Sequence, residues 1–235
     1  MIPLRDDQPV FSTPFVNYFL IALNILIFLF EVSVSMQSRG DLNALMFQFG
    51  VVPAKEVGLL TGIPIFSPGA AVVPILSSMF LHASWSHVIG NMWFLWIFGD
   101  NIEDYLGHFK YLVFYLLSGV AASFTHILLN PNSTIPSVGA SGAIAGVLGA
   151  YFILYPRAKV LTWFPVFFLF YLPAWLMLGY WFVLQFLSGA ATSIAETSQT
   201  TGGVAFWAHV GGFVAGIVLV KLFPERPRRY RYGAW

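Results

Sequence analysis

The sequence has no cysteine, and only 9% of its 235 residues carry charge. The first absence excludes a disulfide scaffold, thiolate metal sites and a cysteine nucleophile. The second excludes a water-soluble enzyme, because soluble domains carry about 25% charged residues. An excess of either sign is also missing. A net charge of +1 provides no basic footprint, so no nucleic-acid partner is expected. What fills the chain is apolar: 58% of residues are hydrophobic, and the mean hydropathy is +0.77. A multispan membrane protein fits this composition, with membrane lipid as its surroundings. The apolar stretches are continuous and not alternating, which disfavours a β-barrel.

A crossing takes about 20 apolar residues. Apolar runs at about 14–34, 79–98, 111–129, 139–155, 160–189 and 204–223 predict six spans and an all-α bundle. Residues 1–13 read as a short cytoplasmic N-terminus and 224–235 as a basic cytoplasmic tail that touches anionic lipid. Residues 35–77 form a long outer loop. Within it Leu42, Leu45, Met46 and Phe49 follow helical spacing and predict a short interfacial helix. Pro165 and Pro173 predict a kink or a broken start in the fifth span. With an even span count, nine of the eleven Lys and Arg residues fall on the side of the two termini. The positive-inside rule then places both termini in the cytoplasm of a cell (inner) membrane.

In that topology the second, fourth and sixth spans all enter from the outer face. Their early residues are polar. The second carries His82, His87 and Asn91, the fourth Gly139-Ala140-Ser141-Gly142, and the sixth His209 with Gly211 and Gly212. Polar groups within a membrane are costly and face the bundle interior. A serine beside a histidine is a nucleophile beside a base. Asn91 lies four residues after His87, so the two share a helix face as candidate oxyanion donors. Ser141 opens a helix, where amides are free and the dipole favours negative charge. Ser141 to Tyr155 is 15 residues, about 22 Å of helix against a core of about 30 Å. The serine is therefore expected some ångströms below the outer surface, in a wet cavity that the loop 192–203 could cover.

These motifs together resemble the rhomboid family of intramembrane serine proteases. The resemblance runs from about Phe47 to Gly216. It takes in Gly99-Asp100-Asn101-Ile102-Glu103-Asp104-Tyr105-Leu106-Gly107 and Pro173-Ala174-Trp175 as well as the three polar motifs. It implies a rhomboid-like six-helix bundle of the bacterial form. It implies Ser141 as nucleophile and His209 as general base, without an aspartate. His87, Asn91 and the Ser141 amide are implied as oxyanion stabilisers, and Gly139, Gly142 and His82 as supports. It implies single-span membrane proteins as substrates and needs neither cofactor nor metal. A Trp-Arg pair that some members carry in the first loop is absent, since residues 35–77 contain no Trp.

Simpler readings exist for the remaining polar residues. Asn17, Asn24 and Glu31 recur every seven residues and predict a polar seam packed against neighbouring helices. Glu103 with Gly107 reads as ordering the cytoplasmic end of the second span. His108 and His126 read as interface or packing residues. Gly142, Gly146 and Ala150, with Gly212 and Gly216, read as small-residue packing stripes. The competing functions are a non-catalytic binder of membrane helices and a small transporter. No inverted repeat supports the latter.

Overall fold

The computed structural model describes residues 1–60, 69–164, 168–194 and 205–226. It is mostly helical. Strand β1 (Ile2–Arg5) precedes α1 (Phe15–Gln37). Between α1 and the next long helix lie α2 (Arg39–Phe49), α3 (Pro53–Leu60) and α4 (Gly69–Ser77), followed by a 3-10 turn at Ser78–Phe80. Then come α5 (Trp85–Leu106), α6 (His108–Leu129), α7 (Ser141–Leu154), β2 (Lys159–Phe164), β3 (Phe168–Pro173), α8 (Ala174–Ile194) and α9 (Phe206–Leu222).

The helix ends follow local chemistry. Ser38 caps α2 by accepting from the Asp41 amide, and Ser84 caps α5 by accepting from the His87 amide. Gly107 stops α5 with φ +80°, and α6 starts on the next residue. The helix α2 lies where the spacing of Leu42 to Phe49 predicts one.

One expectation needs correction. The apolar run from residue 160 is not helical from its start. Residues 159–164 and 168–173 form an antiparallel hairpin, and the helix begins only at Ala174. The fold is therefore not all-α: β1 joins this hairpin in a three-stranded antiparallel sheet, order β1-β2-β3. Val160, Thr162, Trp163, Phe168, Phe170 and Tyr171 are β-branched or aromatic residues that suit a pleated surface. A run this apolar does not distinguish strand from helix by periodicity. The six-span count goes further than helix length and composition alone support. Among the described residues, α1, α6 and α8 are long and apolar enough to cross a membrane. A fourth crossing is possible if the pair Val72–Phe80 and Trp85–Leu106, bent by 85°, counts as one. At 14 and 17 residues, α7 and α9 are shorter apolar helices. Fourteen residues rise about 21 Å, less than the hydrocarbon thickness.

Helices α6, α7 and α9 form the centre of the molecule. There α7 and α9 meet backbone to backbone through small residues. A Cβ on Gly212 would strike the Gly142 carbonyl oxygen, and one on Gly216 would strike that of Gly146. A Cβ on Gly149 would strike the Phe213 carbonyl. Such contacts replace apolar side-chain interlock where lipid supplies no hydrophobic drive.

Helix α1 docks through its polar seam. Asn17, Asn24 and Glu31 are all buried. Asn17 Nδ2 donates to the Leu95 carbonyl (3.0 Å), and Tyr111 donates its hydroxyl proton to Asn17 Oδ1 (2.8 Å). Glu103 does more than order its own helix. Its carboxylate accepts from the amides of Val16 (3.0 Å) and Asn17 (2.7 Å), capping the first turn of α1, and it also pairs with His108.

The N-terminal residues are tied down as well. Trp93 Nε1 donates to the Pro3 carbonyl (2.6 Å), the Lys159 amide to Asp7 (2.9 Å), and the Tyr151 hydroxyl to Asp6. Burial raises the Asp6 carboxyl above its usual range, and the Tyr151 hydrogen bond opposes the rise.

On α3, Glu56 is 3% exposed and its Oε1 has no hydrogen-bond partner among the described residues. Burial pushes its pKa from 4.5 up to about 7, against the pull of Lys55. The folded state thus holds this proton to higher pH than the unfolded chain does. Its contribution to stability is complete below pH 4.5 and is lost as pH rises through about 7. The slope is at most about 1.4 kcal/mol per pH unit. Thermal melts in detergent between these pH values should show the wild type losing more stability than Glu56→Gln. Parallel curves would refute the assignment.

Candidate active site

The first residue of α7 is Ser141, and His209 lies in the first turn of α9. The close packing of these two helices brings the residues together. Ser141 Oγ is 2.8 Å from His209 Nε2, within hydrogen-bond reach. Both side chains are half-buried. Ala205 precedes α9, and its carbonyl accepts from the His209 amide (3.2 Å), so the histidine is held by the first helical bond.

His87 and Asn91 stand on α5 across from the start of α7. Gly139 has φ +129°, a conformation that side chains disfavour. A Cβ there would also lie 2.6 Å from His87 Nε2 and 3.6 Å from Asn91 Nδ2. Gly139 therefore lets the chain pass beside both donors. Its amide is anchored to the Ser78 carbonyl (2.8 Å). At Gly142 a Cβ would lie 2.6 Å from the Ala122 Cβ, so this glycine sets the spacing of α7 and α6.

His82 is 1% exposed and stands behind this row. Asn91 Nδ2 lies 2.9 Å from His82 Nε2. An amide nitrogen only donates, so His82 accepts there, and the second N–H of Asn91 remains for the cavity. The His82 amide in turn donates to both oxygens of Glu31 (3.2 and 3.1 Å). The polar seam of α1 thus ends in direct support of the residues beside the cavity.

The cavity has a volume of about 620 Å³. Ser141, His209, His87 and Asn91 all line it, together with Gly139 and Gly142. Of the sequence-predicted set, only His82 lies outside the lining. His126 departs from expectation: it lines the same cavity, with Nδ1 3.3 Å from Asn130 Nδ2. The loop expected to cover the cavity lies mostly outside the described residues. Its Thr192 reaches the lining.

Two neighbours of His209 have no motif in the sequence. Gln185 Oε1 on α8 lies 2.8 Å from His209 Nδ1. The Trp181 ring stands 5.7 Å from the imidazole, tilted by 33°. A lone glutamine in an aromatic run gives no spacing signal; only the packing of α8 on α9 reveals it.

Comparison with known proteins agrees with the motifs. Residues 70–226 match the Rhomboid domain family model. Rhomboid protein 1, mitochondrial, of Saccharomyces cerevisiae is 32% identical over 170 residues, covering 69% of this chain and 46% of the relative. Rhomboid-like protein 11, chloroplastic, of Arabidopsis thaliana is 31% identical over 160 residues, covering 65% and 52%. Presenilin-associated rhomboid-like protein, mitochondrial, of Mus musculus is 31% identical over 188 residues, covering 74% and 45%. The chain spans about half the length of these relatives. Their names are organellar and not bacterial, in contrast to the bacterial form expected from six spans. With the domain model matching most of its length, and with apolar helices fit for a bilayer, this membrane protein belongs to the rhomboid family.

Proposed function

We propose that the protein is an intramembrane serine endopeptidase that cuts single-span membrane proteins in or near the bilayer. The observation that carries this reading is the 2.8 Å approach of Ser141 Oγ to His209 Nε2 at the wall of a polar cavity. Ser141 is the nucleophile. His209 takes its hydroxyl proton as Oγ attacks the scissile carbonyl. The carbonyl oxygen becomes an oxyanion, held by His87, Asn91 and the Ser141 amide. That amide belongs to the first residue of α7, where no intrahelical acceptor exists. The tetrahedral species expels the amine, which receives the proton from His209. Water then cleaves the acyl-enzyme by the same steps, with His209 again as base.

The six-span topology belongs to the same proposal and gives this chemistry its place. If α7 and α9 enter from the outer face, their polar first turns lie at one depth and the cavity opens outward. The basic residues then lie with both termini on the cytoplasmic face. Residues 227–235, which hold Arg228, Arg229 and Arg231, lie outside the described residues.

A fluorophosphonate probe tests the reading directly. Folded protein in detergent should acquire one adduct, on Ser141, and heat-unfolded protein none. An unlabelled Ser141 in folded protein would overturn the proposal and favour a non-catalytic binder of membrane helices. Within the same reading, Asn91→Ala removes one oxyanion donor. Turnover of a model single-span substrate should fall about 10²–10³-fold and not vanish.

A further inference from the structure

The proposed reaction needs His209 to present a lone pair, not a proton, to Ser141. We infer that Gln185 is the positioning residue that secures this: its amide oxygen holds the Nδ1 proton of His209 and leaves Nε2 free to accept from the Ser141 hydroxyl. This rests on the serine-protease reading above.

The geometry distinguishes the two tautomers. Gln185 Oε1 lies 2.8 Å from His209 Nδ1, and Ser141 Oγ lies 2.8 Å from Nε2. An amide oxygen only accepts. With the proton on Nδ1, that contact is a hydrogen bond and Nε2 faces the hydroxyl as acceptor. With the proton on Nε2, two lone pairs would face each other at Nδ1, and the ring would donate to the serine it must deprotonate. The partner on one ring nitrogen thus sets the state of the other.

The surroundings of Gln185 strengthen the case. It is the only amide or charged side chain on α8. A polar group among apolar neighbours in a membrane helix is costly and calls for a partner. Trp181 precedes it by four residues, on the same helix face, and lies against the imidazole ring. One face of α8 therefore fixes His209 twice, at its edge by Gln185 and across its ring by Trp181. The glutamine does this without charge. A carboxylate at this half-buried point would favour the protonated imidazole and move its working range as a base to higher pH. The other titratable groups bearing on His209 are the imidazoles of His87 on α5 and His126 on α6. Neither changes in the variants below.

The test compares full-length wild type with Gln185→Leu, Gln185→Met and Gln185→Glu in detergent, using a fluorogenic single-span transmembrane peptide. The apolar variants should lose kcat by about tenfold or more, with KM within about twofold and an unchanged melting temperature. Gln185→Glu, which restores an acceptor, should recover turnover at high pH. The acid limb of its pH-rate profile should move upward by about one unit or more. A residue that only packs α8 would change stability and leave the profile in place. Wild-type kcat in both apolar variants overturns the inference, and so does a wild-type acid limb in Gln185→Glu. If wild type itself neither cleaves the peptide nor takes up fluorophosphonate, the protease reading falls and this inference with it. If wild type does both and the variants match it, only the role of Gln185 is lost. Leu and Met differ in shape, so poor packing of one still leaves the other to decide.

Discussion

Ser141→Ala is expected to abolish cleavage of a single-span substrate, and His209→Ala to do the same. Each should lower kcat by at least about 10⁴-fold, and the double variant should be scarcely slower than either single one. Nucleophile and base act as one unit, so removing one already removes the covalent route. The fold should survive. Ser141 Oγ bonds to His209 Nε2 and His209 Nδ1 to Gln185, and all three side chains are half-buried at the cavity wall. Melting temperatures in detergent should therefore stay within a few degrees of wild type. Quantified cleavage by purified variants decides the matter, with fluorophosphonate labelling as a second readout. Substantial turnover in either variant would remove the basis of the proposed mechanism.

A larger structural effect is expected from Gly212→Ala, a change of one methyl group. That methyl would strike the Gly142 carbonyl oxygen and lie 3.3 Å from the Ala145 Cβ. The obstacle is backbone, so no rotamer relieves it. The two helices must separate, and Gly142 is the neighbour of the proposed nucleophile. Overpacking typically costs about 1–3 kcal/mol. A displacement of about 1 Å at the reacting atoms can cost about 10² in rate. The expected result is a clear fall in melting temperature together with a loss of turnover of about 10² or more. Gly90→Ala is the control: a Cβ at Gly90 meets nothing within 4 Å, and neither quantity should move. Equal behaviour of the two variants would show that the α7–α9 contact does not set the site.

Much of the candidate site was readable because its residues are rare. In a chain with so few polar groups, Ser141, His209, His87 and Asn91 stand out, and the span order suggests that they meet. Their shared cavity and the 2.8 Å approach follow from the glycine-mediated contact of α7 and α9. Gln185 was not readable, because a single glutamine among Phe182, Leu184 and Phe186 carries no periodic signal. His126 was read as packing; its place in the cavity depends on the rotation of α6, which spacing alone does not set. The β2–β3 hairpin was hidden for a different reason. Val160 to Leu172 is as apolar as a span, and strand and helix differ there only in local conformation. The polar seam of α1 was visible as a period of seven. Its partners, from Leu95 to His82, became clear only through packing.

The pairing of β1 with β2 has a consequence for assembly. Ile2 faces Trp163 and Arg5 faces Leu161, so the sheet joins a segment before α1 to one made after α7. During synthesis the first strand has no strand to pair with until α7 has emerged. Helices α1, α5, α6 and α7 all lie between the two strands in the chain. Closing so long a loop is entropically unfavourable until the intervening helices hold its ends together. The sheet is therefore a late fastening, and its closure reports that the helices before it have already found their places.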